Sequence, residues 1–149
     1  MAGPDASELV DALVELSFVV QGILARVASA HDLSVTQLRL GGILRDRQPG
    51  TVELAGYLGL EKSSASGLIE RARRRGLVRQ TSDERDGRAV RIALTPRGHA
   101  VARRIAAEVA IEIEALCAGL PPADRERLTR LATGLVSRSD DADRRERLG

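Results

Sequence analysis

Aromatic side chains are almost missing from this 149-residue chain, in which Phe18 and Tyr57 are the single phenylalanine and tyrosine and there is no tryptophan. Those two rings and many aliphatic residues have to supply the whole core, which predicts an aliphatic, largely helical interior. One cysteine, Cys117, excludes an intramolecular disulfide framework and suits a reducing cytosol, and a buried structural thiol is the expected role. Only two histidines occur, His31 and His99, with no ligand-spaced partners, so no metal site is predicted. A phosphate-binding Gly-rich loop, a dinucleotide fingerprint and a Gly-x-Ser-x-Gly elbow are all lacking, which argues against an enzyme and against a cofactor. The N-terminus has no basic n-region, and the apolar tract from Ser17 to Val27 is broken by Gln21 and Arg26. A cytoplasmic protein that does not meet the membrane is therefore expected. Pro and Gly are not in the excess that marks disorder, and 149 residues suffice for one ordinary domain.

Lysine is scarce too: of 23 basic residues only Lys62 is a lysine. An Arg-over-Lys bias is consistent with GC-rich coding, so position carries more of the argument than residue type. The net charge of +2 hides a segregation. Residues 39–104 hold 15 Arg/Lys against 7 Asp/Glu, a balance of +8, while the remainder holds 8 against 14, or −6. A basic middle between acidic ends is the electrostatic outline of a module that meets a polyanion.

Apolar residues at three- and four-residue steps, from Leu9 through Leu13, Leu16, Val20, Ile23, Leu24 and Val27, predict a long amphipathic helix over Ala6 to Ala30. A second helix is predicted from Val35 to about Arg45, capped by Ser34, with Gly41 and Gly42 tolerable only if tight packing offsets their cost of about 1 kcal/mol each. After the Gln48-Pro49-Gly50 turn, Thr51 is expected to cap a short helix, Val52 to Leu58, ended by Gly59. Another helix follows from Lys62 to Arg75 and ends at Gly76, which makes a helix-turn-helix pattern. Its buried face is predicted to be Ala65, Leu68, Ile69 and Ala72. The period then drops to two over Leu77 to Ser82 and Arg88 to Leu94, with Val90, Ile92 and Leu94 inward and Arg91 and Ala93 outward, around the charged turn Asp83 to Gly87. Thr95-Pro96 reads as cap and first residue of a helix reaching about Ala118. Pro121-Pro122 opens a last helix carrying Leu128, Leu131 and Leu135, and the polar tail beyond Ser137 is expected to fray.

The predicted fold class is mainly α with a small β-hairpin wing: a winged helix-turn-helix flanked by N- and C-terminal helices. As one domain, it divides into a lobe over about 34–95, helices suited to dimerisation over about 6–33 and 96–137, and a polar tail over 138–149. The outer helices carry more apolar face than one small lobe can cover, which itself argues for a second copy. Leu9, Leu13, Leu16, Leu128, Leu131 and Leu135 are the expected interface residues.

The run Leu54-Ala55-Gly56-Tyr57-Leu58-Gly59-Leu60-Glu61-Lys62-Ser63-Ser64-Ala65-Ser66, then Gly76-Leu77-Val78-Arg79, resembles the multiple antibiotic resistance regulator (MarR) family of winged-helix transcription factors. So do the wing Ser82-Asp83-Glu84-Arg85-Asp86-Gly87-Arg88, which is similar to the family's Asp-x-Arg wing, and Leu94-Thr95-Pro96-Arg97-Gly98, which is similar to its Leu-Thr-x-x-Gly ending. The resemblance extends from about Leu9 to Leu135. It implies a homodimer shaped like a flattened triangle that binds a palindromic operator in double-stranded DNA, mostly as a repressor, and that releases it when a small anionic or aromatic effector acts near the junction of arm and lobe. A winged-helix module for protein or RNA contacts, without operator specificity, is the alternative, because shape alone does not fix function.

In the recognition helix, Lys62, Ser63, Ser64, Ser66 and Arg71 are the candidates for base edges and flanking phosphates, against a plainer reading as a capping first turn. Gly67 stands where many relatives place a long polar side chain, which shifts specificity toward DNA shape and the wing. Arg85 and Arg88 of the wing are candidates for the minor groove or phosphates, with Asp86 orienting Arg88; the bland alternative is a self-contained turn salt bridge. Arg73 and Arg74, with Arg75, either meet phosphates or are cations favoured at a helix C-terminus and paired with acids such as Glu70. Tyr57 is expected to pack between helices rather than stack on a base. His31 and Arg39 are the candidates to face an anionic effector.

Overall fold

A computed structural model of the chain describes residues 5–82, 85, 87 and 89–148, the last two by backbone alone. It contains α1 (Ala6–Ala30), α2 (Val35–Leu44), α3 (Thr51–Leu58), α4 (Lys62–Arg74), β1 (Val78–Ser82), β2 (Val90–Leu94), α5 (Pro96–Leu116) and α6 (Pro122–Leu148). The mainly helical fold with one hairpin is the fold class expected from the sequence. The chain divides into two compact units, Met1–Glu112 and Ile113–Gly149, with the division inside α5.

Caps and closures set most of the boundaries. Ser34 forms a full capping box on α2: its Oγ accepts the Gln37 N–H at 3.1 Å and its own N–H donates to Gln37 Oε1 at 2.8 Å. Thr95 caps α5 by accepting the Gly98 N–H at 3.0 Å. The ends of α1, α3 and α4 share one closure, in which a residue of positive φ turns the chain back: Asp32 (55°), Gly59 (65°) and Gly76 (71°). At α1, for example, Asp32 N–H donates to Ser29 O at 3.1 Å and Leu33 N–H to Ala28 O at 2.9 Å.

The first unit holds the core. Leu40 and Leu44 from α2, Leu54 and Leu58 from α3, Leu68, Ile69 and Ala72 from α4, and Val78, Ile92 and Leu94 from the hairpin form one buried cluster. It is aliphatic throughout, as the scarcity of rings demanded, but neither aromatic belongs to it. Phe18 is 63% exposed on α1. Tyr57 is half-buried at the margin of this cluster; its hydroxyl donates to Glu53 Oε1 at 3.1 Å and the Arg47 guanidinium, from the connection between α2 and α3, lies 4.8 Å over its ring.

Other expectations are corrected. Gly50 is the N-cap of α3 and Thr51 its first residue, so Thr51 gives no side-chain cap. No atom would lie within 4 Å of a Cβ at Gly41 or Gly42, so close packing does not explain either glycine. In β2 the burial does not alternate: Val90 is exposed, whereas Ile92, Ala93 and Leu94 are all buried. The cause is the chain before α3, which runs along the outer edge of β2 so that Ile92 N–H donates to the Pro49 carbonyl at 2.8 Å, while both α2 and α3 meet the strand. The polar tail does not fray at Ser137; α6 continues through it to Leu148, with Ala142 and the arginines favouring the helix over Ser139, Asp140, Asp141 and Asp143, and with an Arg144–Asp141 pair at 4.0 Å.

Candidate nucleic-acid interface

The recognition helix is α4, and its sequence sorts its two faces. Ala65, Leu68, Ile69 and Ala72 are buried as predicted. Lys62, Ser63, Ser64, Ser66 and Arg71 are all exposed, so every direct candidate on this helix is accessible to a partner. The first turn is free for such contacts because Glu61, the N-cap, makes no side-chain cap bond. The first backbone N–H groups of the helix thus present a positive end beside the serine hydroxyls.

Gly67 leaves a gap on this face that Arg71 fills. A Cβ on Gly67 would stand 3.4 Å from Arg71 Nη1, because helical side chains lean toward the N-terminus and Arg71 lies one turn on. The guanidinium therefore covers the position where a longer side chain at 67 would project.

The hairpin pairs antiparallel with Val78 opposite Leu94 and Ser82 opposite Val90. Arg85 at its tip is exposed. Asp86 and Arg88, the other candidates in the wing, lie outside the described residues. Beside the start of β2, near the tip end of the hairpin, an open recess of about 670 Å³ runs between the start of α3, Lys62 and β2. Lys62 and Arg91 line it along with Glu53, and Arg91 Nη1 donates to Gln48 O at 3.0 Å.

The densest charge run is engaged within the protein. Glu70 takes two bonds from Arg73, Nε to Oε2 at 2.9 Å and Nη2 to Oε1 at 2.8 Å, and one from Arg74 Nε at 3.3 Å. The hydrogen bond from Arg73, with the positive charge of Arg73 and Arg74, holds the Glu70 carboxyl below its ordinary 4.5. Arg75 turns the other way, to the corner between α1 and α2. Of the two readings left open by sequence, the structure displays pairing with Glu70 for Arg73 and Arg74.

Arg39 is exposed on α2, and His31 is half-buried with Nε2 3.0 Å from Glu108 Oε2 of α5. Beside this pair Arg26 Nη2 donates to Glu112 Oε2 at 3.2 Å. Sequence reasoning missed Glu108, since nothing local ties it to His31, 77 residues earlier. It also missed the need for Gly98, where a Cβ would run into the Leu77 carbonyl oxygen and stand 2.9 Å from its carbon.

The interface candidates Leu9, Leu13, Leu16, Leu128, Leu131 and Leu135 are exposed in the single chain, with Leu131 at 62%. Cys117 is half-buried rather than enclosed, and Arg125 Nη2 donates to its carbonyl at 3.2 Å. No group of His, Cys, Asp and Glu among the described residues could hold a metal ion. Among the same residues no helix is long and apolar enough to cross a membrane.

Comparison with known proteins agrees with this geometry. Residues 51–89, from the start of α3 to the wing, match the MarR family model. No curated protein matches the sequence closely enough to count as a relative. Among solved structures, RV1404 from Mycobacterium tuberculosis superposes with a TM-score of 0.76 at 24% identity, over 92% of this chain and 96% of that one. A MarR-family transcriptional regulator from Silicibacter pomeroyi gives 0.70 at 22% identity, over 85% and 86%. BpsR of Bordetella bronchiseptica, whose DNA binding is regulated by 6-hydroxynicotinic acid, gives 0.69 at 23% identity, over 91% and 98%. Residues 51–89 thus match the MarR family model, and the chain has the winged-helix fold of these MarR-family structures.

Proposed function

We propose that this protein is a sequence-specific regulator of transcription that binds double-stranded DNA as a homodimer, represses from a pseudo-palindromic operator, and is released by a small anionic or aromatic effector. The observation that carries the reading is the face of α4, where one lysine, three serine hydroxyls and Arg71 stand exposed on a helix whose opposite face is anchored in the core. An α-helix fits the major groove, and hydroxyls and a guanidinium at its N-terminal half meet both phosphates and base edges. The basic middle of the chain supplies the attraction; Arg85 is exposed at the tip of the hairpin, and Arg85 and Arg88 are assigned to the phosphate backbone or the minor groove from the sequence of the wing.

The dimer rests on the exposed apolar rows of α1 and α6. Leaving Leu9, Leu13, Leu16, Leu128, Leu131 and Leu135 in water forgoes roughly 25 cal/mol for every Å² that a second copy would cover. Two recognition helices about 34 Å apart would then read two half-sites one helical turn apart. The effector reading is supported by BpsR, whose DNA binding answers to a small aromatic acid, and is placed at His31 and Arg39. A cytoplasmic protein without catalytic activity or cofactor fits this role.

Selection of bound sequences from a random duplex pool, followed by titration of the winning duplex against salt, tests the proposal. The expected result is a strong preference over random duplex and an affinity that falls steeply with salt, with Arg88→Ala costing about 1–3 kcal/mol of specific binding. Equal affinity for any duplex, or none, overturns it and favours a winged-helix module for protein or RNA contacts.

A further inference from the structure

The arginine that closes the recognition helix is engaged by the corner between α1 and α2. Arg75, the C-cap of α4, donates from Nη1 to the carbonyl of Asp32 at 2.8 Å and from Nη2 to the carbonyl of His31 at 3.1 Å. Its two neighbours in the run are held by Glu70, so Arg75 differs from them in reaching across 43 residues to another part of the fold. The two carbonyls belong to the left-handed corner that joins α1 to α2, where Asp32 keeps φ at 55° without being glycine. A planar fork with fixed donors suits two adjacent carbonyls, whereas an ammonium presents a single point of contact. The same corner is gripped from α5, because the His31 ring lies against Glu108. Arg75 thus completes a continuous chain of contacts from α5, through the α1–α2 corner, to the end of the recognition helix.

We propose that Arg75 is a positioning residue for DNA reading: it sets the pose of α4 against the α1–α2 corner and does not contact DNA. The inference rests on the proposed DNA-binding function and deepens it. With the strut in place, the exposed residues of α4 meet base edges in register. Without it, the helix keeps its charge and its core contacts but loses its orientation, so specific contacts suffer and phosphate attraction does not.

The test compares wild type, Arg75→Lys and Arg75→Ala. It uses a fluorescein-labelled duplex selected by the wild-type protein and a random-sequence duplex of the same length, well below the melting temperature of each protein. Arg75→Lys, which retains the charge, is expected to lose roughly ten-fold in affinity for the selected duplex, a loss typical of residues coupled through a shared contact. Its affinity for random duplex and its salt slope should stay at the wild-type level. A phosphate contact would behave in the opposite way: lysine would restore binding, and alanine would weaken both duplexes together and lower the salt slope by about 1. Either of those outcomes overturns the proposal. Amide hydrogen exchange without DNA separates this inference from the DNA-binding reading itself. Both variants should exchange faster at Asp32, Leu33 and the last turn of α4, while unchanged protection there overturns the strut whatever the protein binds.

Discussion

Replacing Gly98 by alanine pits two known quantities against each other. In a helix interior the change is worth about 1 kcal/mol in favour of alanine. The new Cβ, however, would be driven into the Leu77 carbonyl, 2.9 Å from its carbon, and would come within 3.1 Å of Leu94 Cδ2. That carbonyl has no room to retreat. Its oxygen accepts the Thr95 N–H at 3.0 Å, Leu77 N–H donates to Ala72 O at 3.0 Å, and Thr95 Oγ1 donates to Gly76 O at 2.6 Å. Overpacking against movable side chains costs about 1–3 kcal/mol, and a pinned backbone belongs at the upper end, which leaves a net loss of about 2 kcal/mol. For a chain of this size that is roughly 4–8 °C in melting temperature. Urea denaturation followed by circular dichroism, at one protein concentration, reads the change as a shift in midpoint at constant slope. Gly41→Ala and Gly42→Ala are the matched controls, since a Cβ meets nothing within 4 Å at either place, and each should gain up to about 1 kcal/mol. A Gly98→Ala protein as stable as wild type, or a loss at Gly41 and Gly42, would refute the reasoning.

Glu70→Gln should release Arg73 and Arg74, raising affinity for random duplex and steepening the salt slope by about 1–2 in a fluorescence titration. Because the Arg73 hydrogen bond lowers the Glu70 pKa on folding, the stabilisation it brings is present at neutral pH and disappears as pH falls through that lowered value. Acid titration should therefore close the stability gap between wild type and Glu70→Gln below the ordinary 4.5, and a gap that persists there contradicts the assignment. Leu131→Asp should make the protein monomeric in sedimentation and weaken binding to the selected duplex by more than ten-fold, which is about 1.4 kcal/mol or more. A stable dimer would move the interface elsewhere.

Local signals made most of the fold readable. Ser34 and Thr95 announce their helices because a cap bonds within three residues, and Gly59 and Gly76 mark the turns because glycine adopts a positive φ without strain, whereas Asp32 makes the same turn with no such signal. Ala65, Leu68, Ile69 and Ala72 were legible through a 3.6-residue period. What escaped depends on approach between distant segments. The buried Ala93 and exposed Val90 follow from the Pro49 contact across the edge of β2, and the roles of Gly98, Glu108 and Arg75 lie in partners 21, 77 and 43 residues away. Arg71 was readable as a candidate, but its place above Gly67 was not, since side-chain direction decides it.

The hydrogen bond from Ile92 to Pro49 also bears on solubility. A two-stranded hairpin has two open sides, and each is a template on which a stray strand can add. On one of them the chain before α3 has already occupied a donor of β2, and proline, with no N–H of its own, ends the pairing there. A second hairpin is thereby discouraged from adding to the sheet through the β2 side.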